Sequence, residues 1–184
     1  MKADRRRQLL DAAARLMAER GFLGVRLEDL GSAVGISGPA VYRHFPNKDA
    51  VLVELLVGIS TRLFEGGWHV AAQALSPSEA LESLVDFHLD FALTEPDLIR
   101  IQDRDLENLP ADARREVRQT QRRYVEVWVK VLLEVDPSLD ETDARTKAHA
   151  AFGLINSTPH SADPKTPLRT RKVLRDMVIS CLFP

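Results

Sequence analysis

The stretch from Gly24 to Lys48 constrains the fold more than any other part of the sequence, and it reads GVRLEDLGSAVGISGPAVYRHFPNK. Two short helical patterns flank Gly35, which we expect to adopt a left-handed backbone and end the first helix. Gly31 falls where a tight helix pair must approach closely. Ser37 is placed to cap the second helix, which we expect to span about Gly38 to Phe45. The pattern predicts a helix-turn-helix.

The outward residues of this motif suit DNA, because a helix of this size can enter the major groove. We expect Arg43 and the start of the second helix to read bases, and the other members of the set to contact phosphates or approach the backbone closely. The candidate DNA-binding residues are Arg26, Ser37, Gly38, Pro39, Tyr42, Arg43, His44 and Lys48. A structural role is the alternative for some of them: the Tyr42 ring can pack on the core, and His44 can simply close the helix.

The charge distribution supports a polyanionic partner for the N-terminal part. Residues 1–48 contain nine basic and five acidic residues, whereas the remainder contains 16 and 22. A basic head on an acidic body is typical of a chain whose head meets nucleic acid. Chance clustering of solvated charge is the alternative. The run Arg5-Arg6-Arg7 is interpreted as a basic arm that adds to DNA binding.

The rest of the chain has helical periodicity, which predicts an all-α protein. Asp4 is a candidate N-cap of the first helix, and Ser76 begins a capping box. Tyr124 to Val135 alternates like a strand, but a strongly helix-forming segment precedes it without a turn, so we expect one long helix buried on more than one side. The proline-interrupted segment from Asn156 to Pro167 is expected to be a loop. Residues 1–47 are assigned to a helix-turn-helix domain and residues 48–184 to a larger helical domain.

Composition and motifs exclude several classes of protein. One cysteine, Cys181, excludes a disulfide scaffold and a cysteine-based zinc module. No apolar run approaches the length of a membrane span or a signal peptide, so a soluble cytoplasmic protein without membrane contact is expected. The histidines lack zinc-ligand spacing, and no nucleophile elbow, phosphate loop or dinucleotide fingerprint occurs. We therefore expect no enzyme, no catalytic residue, no metal and no cofactor.

Residues 5–52 resemble the N-terminal domain of TetR-family transcriptional regulators. The resemblance is carried by the ending AERGF of the first helix and by the run RLEDLGSAVGISGPAVYRHFPNKDAVL. It implies an all-α homodimer that binds a pseudo-palindromic operator and is released by a small inducer. Val25 and Arg26 stand where relatives often have hydroxyl residues, and Glu28 stands where they often have Arg. We therefore do not expect base contacts from the helix that bears Glu28.

The C-terminal body offers an aromatic set at helical spacing, which either packs the core or lines an apolar ligand cavity. The candidate pocket residues are Phe64, Trp68, Phe87, His88, Phe91, Tyr124, Trp128, Phe152 and Asn156. The resemblance implies that the last two helices form the dimer interface. The candidate interface residues are Ala148, Ala151, Leu174, Met177 and Val178. The segment AFGLINSTPHSA is similar to members associated with acyl-CoA catabolism, which implies an acyl-CoA or another lipophilic inducer.

Two alternatives from other functional classes remain open. One is a helix-turn-helix protein that is controlled by a protein partner and has no small-molecule ligand. The other is an all-α binding or catalytic protein in which the motif is only structural. The sequence does not encode whether the regulator represses or activates transcription.

Overall fold

A computed structural model describes residues 2–163 and 165–183, so Met1, Pro164 and Pro184 lie outside it. Within the described residues every regular element is helical and no strand occurs, which confirms the predicted all-α class. A single 3-10 turn, Leu106–Asn108, follows the sixth helix. The α-helices are α1 Lys2–Arg20, α2 Leu27–Ala33, α3 Gly38–Val41, α4 Lys48–Gln73, α5 Pro77–Thr94, α6 Pro96–Asp105, α7 Ala111–Val135, α8 Glu141–Ile155, α9 Thr158–Ser161 and α10 Pro167–Leu182.

The chain forms two compact units. Unit 1 contains residues 1–59 and 97–117, and unit 2 contains residues 60–96 and 118–184. The sequence-based boundary lay between residues 47 and 48. The contacts place the first half of α4 in unit 1, because Val51, Leu52 and Leu56 are fully buried in its core.

The helix-turn-helix in unit 1 depends on two glycines. Gly35 has a φ of +71°, a left-handed conformation that costs glycine little, and it directs the chain from α2 towards α3. A Cβ atom at Gly31 would lie 2.8 Å from Cγ2 of Val41 and 2.9 Å from the carbonyl oxygen of Ile36. Glycine at position 31 therefore allows the two helices to pack closely, as the sequence predicted.

Several local expectations were wrong. Helix α1 begins at Lys2, so Asp4 lies inside its first turn and is not its N-cap. Helix α3 has only four residues, and Tyr42 to His44 continue as tight turns that end in a hydrogen bond from the Phe45 amide to the Val41 carbonyl. Ser37 occupies the N-cap position of α3, but its side chain makes no capping hydrogen bond. The expected loop after Asn156 contains the short helix α9.

Helix α5 and the part of α7 from Arg118 onward supply many of the buried side chains of unit 2. Ser76 caps α5 by accepting a hydrogen bond of 3.2 Å from the Glu79 amide, as predicted. Helix α7 is continuous through the alternating segment, and its buried residues include Val125, Trp128 and Leu132, which confirms one long helix. In the part of the chain that the structure describes, no helix combines the length and the apolar character needed to cross a bilayer.

Candidate functional site

The predicted DNA-reading turn presents a tyrosine and an arginine. The Tyr42 side chain is half exposed, and its hydroxyl donates a hydrogen bond of 3.1 Å to Oε1 of Glu28 on α2. This bond and the charge of the Glu28 carboxylate raise the pKa of Tyr42 above its usual value. Arg43 is exposed, and its side chain has no hydrogen-bond or ion-pair partner among the described residues. Its guanidinium is thus available to a ligand outside unit 1.

The start of α3 leaves room for close approach by a partner. Ser37 and Pro39 are exposed, and Gly38 is partly exposed. A Cβ atom at Gly38 would lie 3.3 Å from Cγ of Glu28. The small residues therefore allow this end of α3 to pack closely on α2. Arg26, at the start of α2, is also exposed, and its backbone amide donates a hydrogen bond of 2.8 Å to Oδ2 of Asp29.

Lys48 is a candidate phosphate ligand, and its side chain also binds to Phe22 within unit 1. Its Nζ donates a hydrogen bond of 2.6 Å to the Phe22 carbonyl and lies 4.2 Å from the centre of the Phe22 ring. The ammonium group has three donors, so this bond leaves two for other partners. The Asn47 side chain, directly before Lys48, caps α4 by accepting a hydrogen bond of 2.8 Å from the Ala50 amide.

The interpretation of residues 5–7 as a basic arm was wrong in one respect, because the residues are part of helix α1 and two of the three arginines contact other elements of unit 1. Arg5 donates to Oε1 of Gln8 at 2.7 Å and to the Val34 carbonyl at 3.1 Å. Arg6 pairs with Glu54, donates to the His44 carbonyl and covers the Phe45 ring at 4.2 Å. These residues fix α1 to the helix-turn-helix.

Sequence reasoning missed a second anchor of α1, at its C-terminal end. The Arg104 guanidinium donates to the carbonyls of Met17 and Ala18, where α1 ends. The buried Asp105 carboxylate accepts from the Phe22 amide at 3.3 Å and from Arg104 at 3.0 Å. No periodic signal indicates this anchor, because the partners lie more than 80 positions apart.

In unit 2, six of the predicted pocket residues form one connected cluster. His88 lies at its centre, with Nδ1 3.2 Å from the Tyr124 hydroxyl and Nε2 3.0 Å from Oδ1 of Asn156. The Phe152 ring centre lies 5.0 Å from that of His88 and 4.9 Å from that of Trp128. These ring contacts account for the side chains as core packing. We call these residues the His88 cluster: His88, Phe91, Tyr124, Trp128, Phe152 and Asn156.

The His88 cluster is uncharged. Burial lowers the pKa of His88 to about 4, although the hydrogen bond to Asn156 opposes the shift. A neutral imidazole has one donor and one acceptor, so Nε2–H donates to Asn156 and Nδ1 accepts the Tyr124 hydroxyl proton. Burial also raises the pKa of Tyr124. Both rings are therefore neutral near pH 7.

One polar atom of the cluster has no partner. Trp128 is fully buried, and among the described residues its Nε1 is the buried side-chain polar atom that makes no hydrogen bond. Native proteins rarely leave such a donor unsatisfied, because removing it from water costs about 1–3 kcal/mol. No sequence pattern indicates this unsatisfied donor.

Three of the predicted pocket residues lie outside the His88 cluster. Phe64 is covered by the Arg123 guanidinium at 4.0 Å. Phe87 packs directly on the α4 backbone at Gly66. Trp68 is 59% exposed and lines a groove of about 310 Å³ with residues from the end of α4, the start of α5 and α7.

The predicted interface residues divide into two groups. The side chains of Ala148, Ala151, Leu174 and Val178 are buried within unit 2 of a single chain, where α8 packs against α10. Met177 is 48% exposed. The apolar character of the first four is thus explained by packing inside one subunit.

Comparison with known proteins shows the family of the chain. Residues 9–55 match the family model of bacterial regulatory proteins of the tetR family, and residues 74–178 match that of the tetracyclin repressor-like C-terminal domain. The transcriptional repressor KstR2 of Rhodococcus jostii is 30% identical over 132 residues, which cover 71% of this chain and 65% of the relative. The aligned region therefore spans less than two thirds of that relative.

Solved structures share the fold at low sequence identity. A TetR-family regulator from Bordetella parapertussis has a TM-score of 0.88 at 23% identity and covers 96% of this chain and 93% of its own. AibR in complex with isovaleryl coenzyme A and operator DNA has a TM-score of 0.82 at 20% identity, with 98% of both chains covered. The two family models together include the helix-turn-helix and most of unit 2. The chain belongs to the TetR family of bacterial transcriptional regulators.

Proposed function

We propose that the protein is a homodimeric transcriptional repressor that binds a pseudo-palindromic operator through residues 37–48. The observation that carries the proposal is the exposed, unpaired Arg43 on the turn that follows α3, next to the half-exposed Tyr42. An Arg side chain in the major groove recognises guanine by two hydrogen bonds. Tyr42, His44, Lys48 and Arg26 would contact phosphates and fix the register.

A second copy of the chain is proposed as the partner of the α8 and α10 surface of unit 2. Val173 and Met177 are about half exposed and lie one turn apart on α10. The exposed face of α8 carries His149, Ala150 and Gly153. Small residues allow helices to approach closely, and apolar residues at this spacing suit an isologous helix bundle.

We further propose that a lipophilic metabolite, such as an acyl-CoA thioester, binds unit 2 and releases the operator. AibR has been solved with isovaleryl coenzyme A and operator DNA, and KstR2 of Mycobacterium tuberculosis is described as a ketosteroid transcriptional regulator. The His88 cluster offers an apolar, uncharged site in the same family fold. A ligand releases DNA only by as much as it prefers a conformer whose two recognition turns no longer match the half-site spacing.

A footprint of the purified protein on DNA upstream of its own gene, at near-physiological salt, tests the proposal. We expect protection of a pseudo-palindrome whose half-sites lie about 34–36 Å apart or a multiple of that distance. Addition of acyl-CoA thioesters of increasing chain length should remove the protection for at least one of them. Binding that is equal on all fragments and vanishes with salt, in a genome-wide selection as well, would contradict an operator-specific regulator.

A further inference from the structure

We infer that the His88 cluster binds the neutral carbonyl group of a lipophilic ligand, with the Trp128 indole N–H as the hydrogen-bond donor to the carbonyl oxygen. The inference rests on the proposed ligand response of unit 2 and specifies the chemical class of that ligand. A ketone, ester or thioester qualifies, whereas a free carboxylate does not.

The donor is the first argument. Trp128 is fully buried, and its Nε1–H has no hydrogen-bond partner among the described residues. The N–H lies close enough to the Tyr124 hydroxyl to act as a hydrogen-bond donor that favours the ionised form of Tyr124, but this contact falls outside the distance and angle of a normal hydrogen bond. An indole N–H can only donate, so what it lacks is an acceptor. A ligand oxygen supplies one.

The hydrogen bonds around His88 leave few other roles for the ligand atom. The Tyr124 hydroxyl donates a hydrogen bond to Nδ1 of His88, and Nε2–H of His88 donates one to Oδ1 of Asn156. The imidazole therefore has no free donor or acceptor. The Trp128 N–H is the group of the cluster that lacks a hydrogen-bond partner. A ligand atom that binds to it must therefore be a hydrogen-bond acceptor.

The absence of charge in the cluster is the second argument. Its six members carry no cationic side chain near pH 7, since His88 is neutral. A buried carboxylate needs a cation or several hydrogen bonds to offset its lost hydration. A neutral carbonyl loses far less hydration, and one hydrogen bond compensates much of it. The cluster thus discriminates between an acyl derivative and the corresponding free acid.

The cluster is accessible from one side. Phe91, Phe152 and Asn156 each retain partial exposure, whereas His88, Tyr124 and Trp128 are buried. Phe91 lies on α5, outside the α8 and α10 surface that is proposed to contact a second copy of the chain. A ligand chain can therefore reach the rings beside Phe91.

The experiment uses the full-length Trp68→Phe variant, which leaves Trp128 as the sole indole of the chain. Trp68 is largely exposed, so this change should leave the fold intact. The probes are 2-octanone, octane and octanoate at pH 7.5, and the readout is the indole N–H cross-peak of the 15N-labelled protein. We expect 2-octanone to move the Trp128 proton resonance downfield and octane not to do so. Octanoate should bind at least tenfold more weakly than the ketone.

Trp128→Phe supplies the matched variant, because it retains an aromatic ring and removes the N–H. We expect its affinity for 2-octanone to fall about tenfold while the affinity for octane is unchanged. Tyr124→Phe should retain the preference for the ketone, since it leaves the indole in place. Equal ketone affinity in the wild type and Trp128→Phe would overturn the inference, as would octanoate binding as tightly as the ketone or a stationary indole peak in the Trp68→Phe protein.

Operator binding by the same samples separates this inference from the proposed function. A downfield shift without any release of the operator would support the carbonyl site and contradict its role in regulation. Release by an acyl thioester that leaves the Trp128 resonance unchanged would support ligand-responsive repression and overturn the carbonyl site.

Discussion

The Tyr42 hydroxyl and the Glu28 carboxylate are joined by a hydrogen bond of 3.1 Å that links the DNA-reading turn to α2. The bond steadies the tyrosine, but it also places a negative charge beside the residues proposed to meet phosphates. Glu28 therefore has two opposite effects on DNA binding, and a substitution can separate them.

Glu28→Gln should increase the affinity for DNA. The amide oxygen of Gln still accepts the Tyr42 hydroxyl proton, while the repulsion between the carboxylate and the phosphates is removed. We expect a gain of about 1 kcal/mol, roughly fivefold, at low salt and less at high salt. Fluorescence anisotropy with a labelled operator measures it. Glu65→Gln, which removes an exposed acid from unit 2, is the control. The same gain in both variants would show that only net charge matters.

Two glycines of α4 should respond in opposite ways to alanine. A Cβ atom at Gly67 would collide with the Tyr124 ring, so Gly67→Ala should lower the free energy of unfolding by about 1–3 kcal/mol. A Cβ atom at Gly58 meets nothing, and Gly58→Ala should raise it by about 0.5–1 kcal/mol through helix propensity. Urea denaturation measures both. Similar effects of the two substitutions would contradict the packing of Tyr124 on the α4 backbone.

The buried His88 should make stability depend on pH. Its pKa is about 4 in the folded protein against 6.5 without burial, so the unfolded chain binds a proton at higher pH than the folded chain. The free energy of unfolding therefore has its full value above pH 6.5, and it decreases by about 3 kcal/mol in total as the pH falls towards 4. The difference in unfolding free energy between wild type and His88→Gln, measured from pH 7.5 to 4, isolates it.

In that experiment His88→Gln should show a shallower pH dependence than the wild type over this window. His69→Gln, which changes an exposed histidine of α4, should follow the wild-type curve. Parallel curves for wild type and His88→Gln would mean that His88 is not held neutral in the folded state.

The proposed dimer surface can be tested on α10. Met177→Asp places a charge on a face that should be apolar and covered, and we expect it to yield monomers in light scattering and to weaken operator binding. Leu75→Asp is the control, because Leu75 is 94% exposed in the turn before α5 and should leave the dimer unchanged. A dimeric Met177→Asp protein would place the interface elsewhere.

Local patterns predicted most of the fold but little of its tertiary pairing. The glycines at 31 and 35 and the N-cap at Ser76 depend on near neighbours, and the structure places each as expected. The strand-like alternation in α7 was outweighed by the helix-forming residues before it, and burial on two sides explains the valines there. The termini of α1 and α3 were missed, because helix ends are set by local geometry that propensity resolves poorly.

The sites were predicted only in part. His88 and Asn156 stood out as polar residues on apolar helical faces, and the structure joins them across 68 positions of sequence. Their contact and the unsatisfied Trp128 N–H follow from how α5, α7 and α8 pack, which no spacing encodes. The roles of Arg6 and Arg104 as anchors were hidden for the same reason. A surface arginine and an anchoring arginine look alike in sequence, although their partners differ.

The most direct test of the account is the affinity for the protected operator divided by the affinity for random DNA of the same length. We expect Arg43→Ala to lower this ratio by a factor that corresponds to about 1–3 kcal/mol and to leave binding to random DNA nearly unchanged. Lys48→Ala should weaken both equally and reduce the salt slope by about 1, with some loss of thermal stability from the broken bond to Phe22. Equal losses on both DNAs for Arg43→Ala would contradict the claim that this turn reads the operator.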